Sequence, residues 1–248
     1  MPLTPEIWLA CAAIVLLGYT VLGLGGFGSA LVSMPLLALV LPIKLVVPLM
    51  LTLDFVGMLI NGVRLRRDMD TGEVRPIIGP LLAGMVLGVT ALVVLPARAL
   101  LFVLGVFIIA YGVYTLKPRP GRKPIGRIWS LPAGLFGGLI GGMFGTGGAV
   151  FAMYYMARIP DSVRMRATMS AVFVVSTGTR LALFLLSGLL LQRDLWLAFL
   201  ALVPMVFAGL FVGHRLHGRL TQSQVARMLS LLLVGSGASV LAKALAWR

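Results

Sequence analysis

Four groups of residues in this 248-residue chain could do chemistry. The stretch "GLGGFG", Gly23 to Gly28, spells G-x-G-x-x-G, the turn that cradles a dinucleotide pyrophosphate. A second glycine cluster, "GTGG", spans Gly145 to Gly148. Two ionisable side chains stand inside long apolar runs: Asp54 in "LMLTLDFVGMLING" and Arg180 in "AVFVVSTGTRLALFLL". His214 and His217, spaced i, i+3, could share a metal. A dinucleotide turn follows a short strand and is answered by an acid about 20 residues later. Here the run from Ile7 to Leu22 is too long for a strand, and the next carboxylate is Asp54. That excludes NAD. The histidine pair has no carboxylate or cysteine beside it and reads as a solvated basic loop, so neither metal nor cofactor is expected.

The elements that must position these residues follow from composition. The chain is 60% hydrophobic and 11% charged, with seven acids in all, against about 25% charged residues in a soluble domain. So few charges cannot cover a water-facing surface, and lipid must serve as the solvent. The net charge of +14 is spread between apolar runs, where basic residues set topology. It is not clustered on one face as nucleic-acid binding requires. Cys11 is the sole cysteine, which excludes a disulfide framework and a thiolate metal site. The N-terminus "MPLTPEIWLA" lacks the basic region of a cleaved signal peptide.

Apolar runs long enough to cross a bilayer lie near 7–41, 45–62, 76–95, 98–116, 129–157, 167–191, 195–213 and 223–246. The breaks include "RLRRDMDTGEVRP", "KPRPGRKPIGR" and "HRLHGRLTQSQ". Two runs exceed the roughly 20 residues a span needs, and each is interrupted by glycines. They align without a gap: "GLGGFGSALVSMP" (23–35) on "GMFGTGGAVFAMY" (142–154), with Gly23 on Gly142, Gly26 on Gly145, Gly28 on Gly147, Ala30 on Ala149 and Met34 on Met153. The fold expected is an all-α integral membrane protein of two inverted four-segment repeats, each opening on a Gly-broken helix. The first membrane repeat covers 1–116, a basic cytoplasmic linker 117–128 and the second repeat 129–248. The bland alternative is a pair of kinked helices packed through small residues.

Charge separates two topologies. If each broken segment folds back as a re-entrant hairpin, 15 of the 21 basic residues face the cytoplasm and five the outside, with Arg180 in the membrane. If 129–157 crosses fully, the split falls to 12 and eight. The positive-inside bias favours the hairpin, and the halves then have opposite orientation, the inverted-repeat plan of many secondary transporters. In hydrocarbon every backbone N–H and C=O needs a partner, so a break is tolerable only beside protein or a water-filled cavity. The half-helices beginning near Ser29 and near Gly145–Gly148 would aim free N–H groups and positive dipole ends at that cavity, and two such ends meeting near the midplane would make an anion site.

Each intramembrane charge costs at least about 2.5–3.5 kcal/mol at a helix centre facing lipid, so Asp54 and Arg180 should face the interior or a partner. Arg180 presents a fork of five donors suited to an oxyanion. Ser176 and Thr177, four and three residues earlier on the same face, add neutral donors. The expected substrate-binding set is Gly25, Gly26, Gly28, Ser29, Gly145, Thr146, Gly147, Gly148, Ser176, Thr177 and Arg180. Asp54 shares a face with Asn61 and is either a proton-coupling group or a structural ion-pair partner of Arg180.

The Gly-rich first run continuing into "GSALVSMPLL", its echo "GMFGTGGAVFAMYYM", the basic loop "NGVRLRRDMD" and the two-times-four layout resemble the TauE/SafE family, sulfite and organosulfonate exporters grouped with 4-toluenesulfonate uptake permeases. The resemblance covers essentially the whole chain. It implies a multi-pass protein of the bacterial inner membrane that moves small sulfur anions, with a homodimer as the family-typical assembly. Relatives that take up thiosulfate carry pore cysteines. With Cys11 alone, well before the glycine hinge, sulfite or a C2 sulfonate such as sulfoacetate is the better match.

The leading expectation is a secondary transporter of sulfite or sulfonates, working as an exporter and driven by a proton or sodium gradient. An uncoupled anion channel would use the same pore, and an uptake permease for thiosulfate or sulfonate the same fold. A membrane-embedded enzyme is not expected, because no His, acid and Cys constellation with ligand spacing lies in any span. A scaffold without a ligand would show no anion-dependent thermal shift.

Overall fold

The computed structural model describes residues 4–25, 28–61, 70–116, 125–216 and 222–246. Gly26 and His217, named above, lie outside them, as do nine of the 21 basic residues in the charge count: Arg64, Arg66, Arg67, Lys117, Arg119, Arg122, Lys123, Arg219 and Arg248. The described residues are mostly helical, and no strand occurs among them. In chain order the helices are α1 (Pro5–Gly25), α2 (Ser29–Val40), α3 (Ile43–Asn61), α4 (Thr71–Val94), α5 (Ala97–Leu116), α6 (Ser130–Phe144), α7 (Gly148–Arg158), α8 (Ser162–Leu186), α9 (Arg193–Leu216) and α10 (Gln222–Ala246), with a 3-10 turn at Arg127–Trp129 before α6. Among the described residues, six helices are long and apolar enough to cross a membrane: α1, α4, α5, α8, α9 and most of α10. Leu186 and Leu191 are 85% and 83% exposed, a surface that water would penalise and lipid does not.

Each long glycine-interrupted run resolves into two helices. The 7–41 run becomes α1 and α2, and 129–157 becomes α6 and α7. Two helices start earlier than the apolar runs suggest. The Asp161 side chain accepts the Val163 N–H at 2.9 Å and caps α8. Asp70 Oδ1 accepts the Gly72 N–H at 3.0 Å at the head of α4. Capping by a short acidic side chain satisfies amides that the first turn leaves without partners.

The chain forms two compact units, each drawing on both sequence halves. Unit 1 holds α1, α2, α3 as far as Asp54, α5, α9 and α10; unit 2 holds the rest of α3 with α4, α6, α7 and α8. Glycines without side chains let backbones approach closely in both. In unit 1, α1 crosses α9. A methyl group on Gly209 would sit 2.7 Å from the Leu16 carbonyl, one on Gly213 would overlap the Thr20 carbonyl, and one on Gly23 would sit 2.9 Å from the Leu210 carbonyl. In unit 2, α6 crosses α4 in the same manner. Gly84 meets the Leu135 carbonyl, Gly88 the Leu139 carbonyl, and a methyl on Gly142 would sit 2.6 Å from the Met85 carbonyl.

The two crossings share one register. Leu16, Thr20 and Gly23 each stand 119 residues before Leu135, Leu139 and Gly142. Gly84, Met85 and Gly88 each stand 125 residues before Gly209, Leu210 and Gly213. The first offset is that of the sequence alignment. In unit 1, α5 and α10 meet reciprocally, a Gly105 methyl lying 3.1 Å from the Gly237 carbonyl and a Gly237 methyl 3.2 Å from the Gly105 carbonyl. Thr115 and Ser230 hydroxyls lie 2.7 Å apart across the same pair. The far end of α2 is fixed by Lys243 of α10, whose Nζ donates to the Ala38 and Leu39 carbonyls at 2.9 and 2.8 Å. A cation there satisfies last-turn carbonyls and complements the negative end of the helix dipole.

Gly84→Leu and Gly209→Leu should each lower stability by about 1–3 kcal/mol through overpacking against a carbonyl that cannot retreat. Gly79 and Gly235 have open space around them, so Gly79→Ala and Gly235→Ala should stay within about 0.5 kcal/mol of the parent. Thermal unfolding in detergent, read side by side for the four variants, checks both statements.

Candidate anion site at the helix interruptions

In unit 2 the chain leaves α6 at Gly145, which adopts φ 77° and donates its N–H to the Gly141 carbonyl at 2.8 Å. Thr146 follows, then Gly147 as the N-cap of α7. The first bonds of the new helix run from Ala149 N–H to the Thr146 carbonyl at 3.2 Å and from Val150 N–H to the Gly147 carbonyl at 3.0 Å. The amides of residues 146–148 precede that ladder, at the positive end of the helix dipole. Two contacts demand glycine here. A side chain on Gly145 would be strained by its φ and would overlap the Arg180 guanidinium, and a methyl on Gly148 would lie 2.6 Å from Phe173 Cε1.

Arg180 of α8 is 4% exposed, and its guanidinium carbon lies 5.0 Å from the centre of the Phe184 ring. Phe184 is one turn further along the same helix, so the cation rests on an aromatic face. Thr146 is 2% exposed, and its Oγ1 has no hydrogen-bond partner among the described residues. Leaving a buried hydroxyl unmatched costs about 1–3 kcal/mol. A buried cation, a helix N-terminus and an unmatched hydroxyl therefore converge on one glycine turn. These are donors without a metal, suited to a small oxyanion.

Unit 1 treats its interruption differently. α1 ends at Gly25, and Gly28 caps α2 with φ 110° and no side-chain hydrogen bond. Ser29, the first residue of α2, is buried and donates its hydroxyl to Asp54 Oδ1 at 2.8 Å. The Tyr19 hydroxyl donates to the same oxygen at 2.8 Å, and Tyr19 is fully buried. Here the chain's own carboxylate stands at the N-terminal end of a half-helix, where the dipole favours negative charge. The left-handed glycines are not equivalent in the alignment: Gly145 matches Gly26, while Gly28 matches Gly147.

A second polar cluster holds the far end of α7. Glu73, near the head of α4 and 7% exposed, accepts from Arg158 through Nε at 3.1 Å and through Nη2. Arg127 lies 3.6 Å from the same carboxylate. The Tyr155 hydroxyl donates to the Glu73 carbonyl at 3.1 Å, and Arg158 Nη1 donates to the Ile125 carbonyl at 2.8 Å. Arg164 pairs with Asp70 at 3.0 Å, and the Asp70 N–H donates to the Thr168 hydroxyl at 3.0 Å. This clasp ties α4, α7, α8 and the segment ahead of α6 together, so α7 is anchored at Arg158 while its other end meets Arg180.

The structure therefore brings together Gly145, Thr146, Gly147, Gly148 and Arg180 in unit 2, and joins Ser29 to Asp54 in unit 1. Ser176 and Thr177 are half-buried on α8 ahead of Arg180; it is the glycine turn that touches the guanidinium. Cys11 is buried within α1. Sequence reasoning missed Tyr19, Phe184, Lys243 and the Glu73–Arg158 pair. Phe184 was within reach, four residues after Arg180 on a helix. Tyr19 and Arg158 lie 35 and 85 residues from their carboxylates, and no local spacing announces such pairs.

The family described as Sulfite exporter TauE/SafE matches residues 10–240. A Comamonas testosteroni protein named "Probable inner membrane transporter protein TsaS" is 26% identical over 197 residues, covering 77% of this chain and 81% of the relative. A Cupriavidus necator protein named "Probable sulfite/organosulfonate exporter TauE" is 30% identical over 172 residues, 67% of each chain. No solved structure matches the chain. With that family matched across nearly its whole length and six apolar helices of spanning length, the chain is a multi-pass membrane protein of the sulfite exporter TauE/SafE family of membrane transporters.

Proposed function

We propose that this protein is a secondary transporter that carries sulfite or a C2 sulfonate such as sulfoacetate out across the bacterial inner membrane. The observation that carries the reading is the Thr146 hydroxyl, buried without a partner in the glycine turn that packs on the Arg180 guanidinium. A sulfonate spreads one negative charge over three oxygens. One arginine fork, one hydroxyl and the amides ahead of α7 offer donors to all three without a metal. The name of the Cupriavidus necator relative supports the substrate class and the export direction. The shared register of the α1–α9 and α4–α6 crossings supports a duplicated fold, and the charge asymmetry of the loops supports opposite orientations of the two copies.

Low local dielectric strengthens each contact to the anion, because water no longer competes. Phe184 beneath the guanidinium and Phe173 against Gly148 supply that dry wall. Glycine at 145 lets the guanidinium sit against the backbone turn itself. The Glu73 clasp at Arg158 holds the opposite end of α7, so the helix tip is positioned from both sides.

Two outcomes follow. Arg180→Ala should weaken anion binding about a hundredfold or more, since each charge-assisted bond is worth about 1.5–3 kcal/mol, and should abolish sulfite and sulfonate flux in liposomes. Undiminished flux would remove Arg180 from the site. Thr146→Val keeps the shape and deletes the unmatched hydroxyl. Without ligand it should be as stable as the parent or more so by about 1 kcal/mol, while affinity for the anion falls about tenfold. Thermal unfolding with and without sulfite, sulfoacetate, taurine and thiosulfate reads both quantities. A destabilised variant with unaltered ligand response would contradict the assignment. Saturating counterflow in the same liposomes distinguishes a carrier from a channel.

A further inference from the structure

The interruption in unit 1 carries a titratable group that the anion site of unit 2 does not use. Asp54 lies on α3, half-buried, and its Oδ1 receives hydrogen bonds from two other helices of the unit. From α1 the facing titratable group is the Tyr19 phenol, 2.8 Å away and fully buried. From α2 the facing group is the Ser29 hydroxyl, also 2.8 Å away, which does not titrate. Thr52, on Asp54's own helix, turns its hydroxyl to the Leu49 carbonyl at 2.8 Å. Two neutral hydroxyls among the described residues thus donate to the carboxylate at the start of a helix.

We propose that Asp54 is the proton-binding site of this carrier and that one proton moves with each anion; this rests on the transport reading above. Ionised, Asp54 is an internal anion at the head of α2 and uses the Ser29 hydroxyl and the helix dipole itself. Protonation moves one proton onto the carboxyl group and breaks no covalent bond. It removes the negative charge, weakens the acceptor for Tyr19 and Ser29, and leaves the head of α2 electropositive. The protonated state therefore favours an anion in the carrier, and the ionised state disfavours one. Co-transport makes movement of a monovalent sulfonate electroneutral, so export runs while the outward anion gradient exceeds the inward proton gradient, and the reverse balance drives uptake.

The test uses the full-length protein in liposomes and radiolabelled 2-hydroxyethanesulfonate, whose charge is constant across the pH range. Exchange against internal unlabelled anion at equal pH needs only the anion site. Accumulation driven by a pH gradient needs the proton site as well. Wild-type protein should perform both, and an inward gradient of one pH unit should concentrate the probe about tenfold, as one-to-one coupling requires. Asp54→Asn should retain exchange and lose the gradient-driven accumulation. Tyr19→Phe and Ser29→Ala each remove a bond to the charged form, so the pH midpoint of gradient-driven transport should rise by about one unit. Wild-type exchange without any response to the pH gradient overturns the proton site and spares the transport reading. A D54N protein that still accumulates the probe does the same. Absence of wild-type exchange overturns the transport reading and this inference with it. If D54N does not fold, the midpoints of Y19F and S29A decide: unshifted values reject Asp54 as the proton carrier.

Discussion

A polypeptide in hydrocarbon cannot leave backbone N–H groups unmatched, and this chain breaks its helices at two places where that rule should bite hardest. At Gly25–Ser29 and Phe144–Gly148 one helix stops and another starts within an apolar run. The glycines make the breaks sterically possible, at φ 110° for Gly28 and φ 77° for Gly145. They do not make them cheap. Something must answer the amides at the head of each new helix. The two interruptions differ in the polar groups that stand beside them.

At the head of α2 a carboxylate of the chain itself stands near the positive end of the helix: Asp54 accepts from the Ser29 and Tyr19 hydroxyls. At the head of α7 the chain offers a cation and a bare hydroxyl instead, Arg180 and Thr146. One tip has a carboxylate beside it and the other a guanidinium and a hydroxyl. Both half-helices are pinned at their opposite ends, α2 by Lys243 and α7 by Arg158 on Glu73. These anchors sit where a cation suits the negative end of the helix dipole. The glycine crossings of α1 on α9 and α4 on α6 supply the stiff frame against which such tips can be placed.

Much of this is legible in the sequence, and the illegible part has a common cause. Seven acids in 248 residues force a membrane setting. Runs longer than a bilayer, cut by glycines, mark the two interruptions. Asp54 and Arg180 stand out because intramembrane charge is expensive. What cannot be read is which groups meet across long sequence separations. The four-residue spacing of Gly84 with Gly88, and of Gly209 with Gly213, signals close packing but names no partner. Ser29 is legible as a donor, yet its commitment to Asp54 depends on a fold that brings α3 alongside α2. Glu73 lies in a segment that reads as a polar loop, and only the ion pair with Arg158 reveals it as a buried anchor. Gly23 and Gly142, matched in the gapless alignment, both lie at helix crossings, whereas the left-handed glycines of the two interruptions, Gly28 and Gly145, do not match.

The central claim is that an oxyanion binds at the head of α7. The most direct measurement is anomalous scattering from a crystal of the protein soaked in selenite, a heavier analogue of sulfite. The account predicts a selenium peak with oxygens about 3 Å from the Arg180 guanidinium, the Thr146 hydroxyl and the amides that precede Ala149. A selenium peak elsewhere in the membrane region, with the turn at Gly145–Gly148 closed by protein side chains, would contradict it.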